Sequence, residues 1–334
     1  MISWQLRQAN RKGRGVSKAY ENFSLQMALA QARKYLQRQG GESALLDAEV
    51  LLAHVTGLDR AGLYRESERG LSPRAAELFQ QLVERRAQRE PVAYLTGKKE
   101  FMGLEFAVNP AVLIPRPQTE LLVEKACALV RKFISGQHGL PGSSSALLIA
   151  DAGTGSGAIA VSLARFLPAA RIYATDISPA ALEVARENAR RHGVADKVSF
   201  LQGDLLLPLF DFGLSGRISL IVANLPYIPT AELNCLMPDV RCYEPWSALD
   251  GGPDGLFHYR RLFPQARHLL SDLGYLLMEI DAKQGEKVAR LLVEGSWQKQ
   301  TCPPADQVLR DPDSQERIVL ARKSNVSLFN VVQF

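Results

Sequence analysis

At 334 residues, 46% apolar and 22% charged, the chain has room for two domains and the balance of a folded globular protein, which excludes disordered and fibrous classes. No apolar run is long enough to cross a bilayer, so no membrane span or membrane partner is expected. The net charge of +5 is uneven: residues 1–90 hold 15 Lys/Arg against 10 Asp/Glu, and residues 91–334 hold 25 of each.

The first residues carry Arg7, Arg11, Lys12, Arg14 and Lys18 before any acid, but lack the apolar core of a secretory signal. Residues 1–90 read as an N-terminal helical recognition domain. Ser24 caps a helix with Leu25, Leu29, Ala32 and Leu36 on one face, ending at Gly40-Gly41. A second helix follows Ser43, with Leu46, Val50 and Leu51 inward, and stops near Gly57. Ser72-Pro73 opens a third, running through Leu78 and Leu82 to Arg89. The excess positive charge suits docking on an acidic surface, with Arg85, Arg86 and Arg89 as contact residues, although a solvated helical face is the commoner use of such charge.

Residues 91–118 form a linker in which residues 101–108 read as a hairpin or a pair of extended segments. Residues 119–323 form an α/β domain. It opens with a helix from Thr119 to Phe133, whose Glu120 suits the positive end of the dipole, and continues through a Gly/Ser/Pro-rich loop at 135–145. Strands are expected at 146–151, 171–176, 198–202, 218–222, 274–281 and 316–321. Helices are expected at 158–166, 179–192 and 284–294. Such alternation implies a parallel sheet covered on both faces. Residues 324–334 are a tail without an assigned role. Cys127, Cys235, Cys242 and Cys302 form no C-x-x-C pair and have no histidine at ligand spacing, which argues against zinc and disulfides and for a reducing cytoplasm.

Two stretches promise chemistry. Gly153-Thr154-Gly155-Ser156-Gly157 lies between a strand and a helix, where glycines let the backbone approach a ligand. The spacing is neither the dinucleotide fingerprint nor a phosphate loop. Asp176 ends the next strand and can accept two ribose hydroxyls; Asp204 follows the third and can accept an adenine amine. An adenosine-bearing ligand without pyrophosphate fits best, and S-adenosylmethionine is one. Asn224-Leu225-Pro226-Tyr227 follows the fourth strand. It offers the Asn224 side-chain oxygen and the Leu225 carbonyl as acceptors for an –NH2 group, with the Tyr227 ring beside them; its bland reading is a stiffened turn.

With these residues in place, the chain resembles the HemK/PrmC family, protein-(glutamine-N5) methyltransferases acting on peptide chain release factors. The resemblance spans about residues 25–322 and rests on residues 91–97, Glu100-Phe101, residues 113–117, Thr119-Glu120, residues 151–161 and 224–228, Glu244-Pro245, and residues 248–252 and 254–256. Leu225 stands where the family usually has proline, and Gln118 where an acid is common. The resemblance implies a Rossmann-like class I sheet with a small N-terminal helical bundle, and S-adenosylmethionine as cofactor. That cofactor would be held by residues 153–157, Asp176, Asp204 and the edge of Asn224. It also implies a monomer acting on release factors and not directly on nucleic acid. Asn224 Oδ1 and the Leu225 carbonyl would then aim a glutamine amide of a Gly-Gly-Gln loop, with Pro226, Tyr227 and Phe101 around it. Glu244, Asp254 and the Gly-Gly-Pro-Asp-Gly run read mainly as structural. The alternative is an N6-adenine or N2-guanine nucleic-acid methyltransferase, disfavoured by the neutral charge of residues 91–334.

Overall fold

The structure, a computed structural model, describes residues 23–134, 147–294, 297–298, 318–323 and 331–333. Two units emerge: Met1–Gly97 with Met237–Tyr243, and Lys98–Leu236 with Glu244–Phe334. The expected loop at 135–145 lies outside the described residues. Among the described residues no helix is long and apolar enough to cross a membrane.

In the first unit, Ser24 accepts the Met27 amide and opens α1 (Leu25–Arg38). α2 (Ala44–Thr56) stops at Gly57, which takes a left-handed φ of 72°. α3 (Arg60–Arg65) and α5 (Val92–Thr96) add to the three expected helices, and α4 (Pro73–Ala87) starts from the Ser72 cap. The core gathers Leu25, Leu51, Leu52, Leu63 and Phe79. Leu46, expected inward, is exposed, because α2 turns Ala44, Ala48, Leu51 and Leu52 to the core instead.

Arg85, Arg86 and Arg89, at the end of α4 and just beyond it, also differ from expectation. Arg86 is only 9% exposed and lies between Asp47 Oδ2 at 2.7 Å and Asp239 Oδ2 at 2.6 Å. Arg89 pairs with the other Asp239 oxygen at 2.6 Å, and Arg85 with Glu90 at 2.5 Å. Asp239 belongs to a helical turn, Pro238–Arg241. Arg86 and Arg89 brace this unit, whereas Arg85 keeps a half-exposed pair with Glu90. The pattern hid this because Asp47 and Asp239 are distant in sequence.

The second unit begins with a hairpin, β1 (Lys98–Phe101) and β2 (Leu104–Ala107), turned by Met102 and Gly103 at positive φ of 53° and 69°. Glu120, at the start of α6 (Pro117–Ile134), accepts the Met102 N–H at 2.7 Å and so ties hairpin to helix. The main sheet contains β3 (Leu147–Ala152), β4 (Ala170–Asp176), β5 (Val198–Gln202), β6 (Ile218–Ala223), β7 (Leu270–Glu279), β8 (Trp297–Gln298), β9 (Ile318–Lys323) and β10 (Val331–Gln333). Its order is β10-β9-β7-β6-β3-β4-β5, with β8 also on β9.

Strands β3 to β7 pair in parallel, as the alternation implies. β9 does not: it runs antiparallel to β7. A parallel neighbour needs a crossover, whereas among the described residues the strand before β9 is β8, which pairs with it antiparallel. Within the tail, Val331–Gln333 supplies the edge strand β10.

Strand residues alternate between two apolar layers. Ile149, Leu220, Val222 and Leu277 face the layer shared with α6, α7 (Ala158–Phe166) and α8 (Pro179–Arg191). Ala150, Ile221, Leu276 and Met278 face that of α9 (Phe257–Leu269) and α10 (Gly285–Glu294). This is a Rossmann-like sheet covered on both faces. Helix α9 was not expected; Pro264 interrupts its pattern.

The connection β3–α7–β4 leaves on one side of β3 while β6 lies on the other, so a crevice opens where the order reverses. Lateral pairs line up across it: Ala152 with Thr175, Ala152 with Ala223, and Ala223 with Met278. The residues that follow, Gly153, Asp176, Asn224 and Glu279, therefore form a row along the carboxyl edge.

Candidate active site

A cleft of about 190 Å³ sits on that row. Its floor is the glycine loop. Gly153 has a φ of 73°, and a Cβ there would meet Leu225 Cδ2 at 2.9 Å, so the Asn-Leu-Pro-Tyr segment packs directly on the loop. At Gly155, φ of 54° demands glycine although nothing lies within 4 Å. Asp176 braces the loop, Oδ2 accepting Gly155 N–H at 2.8 Å and Oδ1 accepting Ser178 N–H at 2.9 Å. Burial raises its carboxyl pKa, and the backbone donors oppose the rise.

Beneath the loop lies Asp151, fully buried, its Oδ2 accepting from Thr154 Oγ1 at 2.6 Å. Its Oδ1 has no partner among the described residues. Burial pushes this carboxyl up to about 7; the Thr154 hydroxyl opposes the rise and the Asp176 charge adds to it. The folded state therefore keeps a proton that the unfolded chain releases near 4. Stability from this group is present at low pH and lost as pH rises towards 7. Asp151→Asn should flatten that fall, by about 2–3 kcal/mol between pH 5 and 8. Denaturant melts at the two pH values would measure it; an unchanged pH dependence would mean Asp151 ionises normally.

The Asn-Leu-Pro-Tyr segment is positioned by distant residues. Asn224 Nδ2 donates to Thr119 Oγ1 at 2.9 Å, and the Thr119 hydroxyl donates to Glu279 Oε2 at 2.7 Å. Leu225 buries its side chain, and its carbonyl lies 3.4 Å from the Tyr259 hydroxyl. That hydroxyl also donates to the Glu279 carbonyl at 2.5 Å, and the second lone pair of the Leu225 carbonyl stays available as an acceptor. Pro226 and Phe101 line the cleft with Asn224 and Leu225. The Phe101 ring is buried, edge-on to Phe106 at 6.0 Å. Tyr227 is half-buried outside the cleft walls, packed against the layer under α9, with its carbonyl accepting from Gln284 Nε2 at 2.8 Å.

Comparison with known proteins places this geometry. Residues 27–97 match the PrmC N-terminal domain, and residues 143–297 match a methyltransferase domain. A release factor glutamine methyltransferase from Moorella thermoacetica is 48% identical over 90% of this chain and 98% of its own. That of Geobacter sulfurreducens is 43% identical over 80% of this chain and 88% of its own. The chain belongs to the release factor glutamine methyltransferase family.

As a member of this family it is an S-adenosylmethionine-dependent methyltransferase, and the cleft fits that cofactor. Open space above Gly155, the carboxylates of Asp176 and Asp204, and an apolar rim at Ile177, 64% exposed, suit a glycine-cradled nucleoside. Ile177 was not singled out from sequence, although an isoleucine directly after a strand-end acid is the signal for it. Asp204 is partly engaged: its Oδ2 pairs with Arg261, which stands 5.1 Å over the Phe257 ring. Arg261 and His258 both line the cleft from α9, a helix that was not expected. His258 lies 3.2 Å from the Asp250 carbonyl, and burial lowers its pKa.

If Asp176 receives the ribose hydroxyls, Asp176→Ala should weaken S-adenosylmethionine binding by about 1.5–3 kcal/mol. Calorimetry would read it. Unchanged affinity in a folded variant would leave Asp176 as a loop brace only.

The remaining family stretches hold the walls. Glu244, 4% exposed, accepts Ile114 N–H at 3.1 Å and Arg116 Nη2 at 2.5 Å, pinning a wall segment. Asp254 binds Arg260 at 2.9 and 2.5 Å, and that hydrogen bond holds its carboxyl down to about 2. Gly251 N–H donates to the Ile228 carbonyl at 2.8 Å, and Ile228 N–H to that of Leu249 at 3.1 Å. A Cβ on Gly255 would run into the Tyr227 carbonyl oxygen and Gln284 Nε2. The glycine-rich turn is thus the backing of the Asn-Leu-Pro-Tyr segment.

Proposed function

We propose that this chain methylates the side-chain amide nitrogen, N5, of the glutamine in the Gly-Gly-Gln loop of peptide chain release factors, acting as a cytoplasmic monomer. The observation that carries the reading is the set of the Asn224 amide. Its Nδ2 end is engaged by Thr119 at 2.9 Å, so Oδ1 is the end available to accept an N–H. The family membership supports the substrate class.

An amide nitrogen is a poor nucleophile because its lone pair is delocalised into the carbonyl. Asn224 Oδ1 and the Leu225 carbonyl accept its two N–H bonds and turn the nitrogen towards the methyl donor. Pro226 and Phe101 supply apolar walls that exclude water. S-adenosylmethionine supplies a methyl group on a cationic sulfur. The nitrogen takes that methyl by in-line displacement as the carbon–sulfur bond breaks, and the cationic product then loses its proton to solvent. No general base is required, so His258 in the cleft need not act as one. Holding both partners in line can lower the barrier by several kcal/mol, within an upper range of about 7–11.

The test is transfer of labelled methyl to a whole release factor, to a short Gly-Gly-Gln peptide, and to free DNA or RNA, with mass spectrometry locating the label. Label on the glutamine amide is expected, with the whole factor the better substrate because remote binding orients the reacting group. Label on an adenine base with none on the glutamine would overturn the reading.

A further inference from the structure

Thr119 opens α6 and Glu279 ends β7, yet both meet Asn224 through one line of hydrogen bonds. We infer that Thr119, held by Glu279, is a positioning residue that dictates which end of the Asn224 amide faces the cleft, and so makes the site select an N–H donor. The inference rests on the reading that Asn224 accepts from the substrate amide.

The argument is a proton count. A threonine hydroxyl has one proton, and a carboxylate can only accept. Thr119 gives its proton to Glu279 Oε2 at 2.7 Å. Only lone pairs then remain on Thr119 Oγ1, and the amide end of Asn224 that can satisfy one is Nδ2, at 2.9 Å. Donation to Glu279 thus sets the polarity of the whole line. Thr119 is 5% exposed and Glu279 2%, so bulk water does not reach in to satisfy an inverted arrangement.

An amide turned by half a rotation would oppose Oδ1 to the Thr119 lone pairs. It would also present Nδ2 to an incoming –NH2 group, donor against donor. The substrate nitrogen would then lose its aim, although the cleft would keep its shape. The three residues come from separate elements, and the register row brings Glu279 beside Asn224 through the Ala223–Met278 pair.

The test measures kcat and KM on a full-length release factor, and calorimetric affinity for S-adenosylmethionine, for Thr119→Val, Thr119→Ser and Asn224→Ala. Thr119→Val, close to isosteric but without the hydroxyl, should lose about 10- to 100-fold in kcat. Its KM and cofactor affinity should stay within about threefold of the parent. Thr119→Ser restores the hydroxyl and should return kcat to within about threefold. Parental kcat in Thr119→Val alongside an inactive Asn224→Ala would overturn this inference alone. So would a serine variant as damaged as the valine one, or a valine variant that loses cofactor affinity together with turnover. Should Asn224→Ala itself keep its turnover, the reading of the motif falls first and this inference with it.

Discussion

Replacing Asn224 with alanine should cost about 10²-fold or more in turnover, the scale of losing a positioning contact in a closed site. S-adenosylmethionine affinity should stay nearly unchanged. Asn224 follows β6, whereas the glycine loop follows β3 and Asp176 ends β4. Of the Asn224 polar atoms, Nδ2 already has its partner in Thr119, and Oδ1 is left for a substrate donor. The variant should also fold, because Asn224 is only half-buried and Thr119 keeps its bond to Glu279. Single-turnover kinetics beside calorimetry would separate the effects, and near-normal turnover would rule out the assignment of this motif.

The second large effect concerns stability. Arg86→Ala should destabilise the helical unit by about 3–5 kcal/mol, because removal of one partner strands buried charges. Asp47 and Asp239 both lean on this guanidinium, and the side chain is 9% exposed. The loss should appear as a lower melting temperature and reduced helical signal, with no selective rise in KM. Arg85→Ala makes the contrast: its pair with Glu90 is half exposed on the arginine side, and such pairs contribute about 0–1 kcal/mol. A raised KM with unchanged melting in Arg86→Ala would restore the docking role that the charge count suggested.

Charge counting misled at Arg86, and apolar patterning held for the strands, as a matter of range. The strands were legible because buried parallel strands are continuous apolar runs, as at Ile218–Ala223, and because turns at Gly57 or Ser72-Pro73 are local signals. The glycine loop was legible for the same reason, since its chemistry lies within five residues. Leu46 was misassigned because apolar residues at 44, 45, 46 and 48 allow more than one helical face. Helix α9 escaped notice because Pro264 interrupts it and no side chain caps its start. Arg261 and Tyr259 went with it. Pairings over long separations, such as Arg86 with Asp239 or Thr119 with Glu279, leave no local trace at all.

The lateral pairs at Ala152, Thr175, Ala223 and Met278 also limit how this enzyme can vary in length. Each strand delivers its working residue one position beyond a paired alanine, threonine or methionine. A single codon deleted within Leu220–Ala223 would pull Asn224 back by about 3.3 Å. If Asn224 instead kept its place, the deletion would exchange the two faces of everything upstream in that strand. Substitutions along these strands can be graded by size, but a frame-preserving insertion or deletion there has no mild form. Length variation among working relatives should therefore be confined to the connections, and deletion scanning through β3, β4, β6 and β7 should find no active variant.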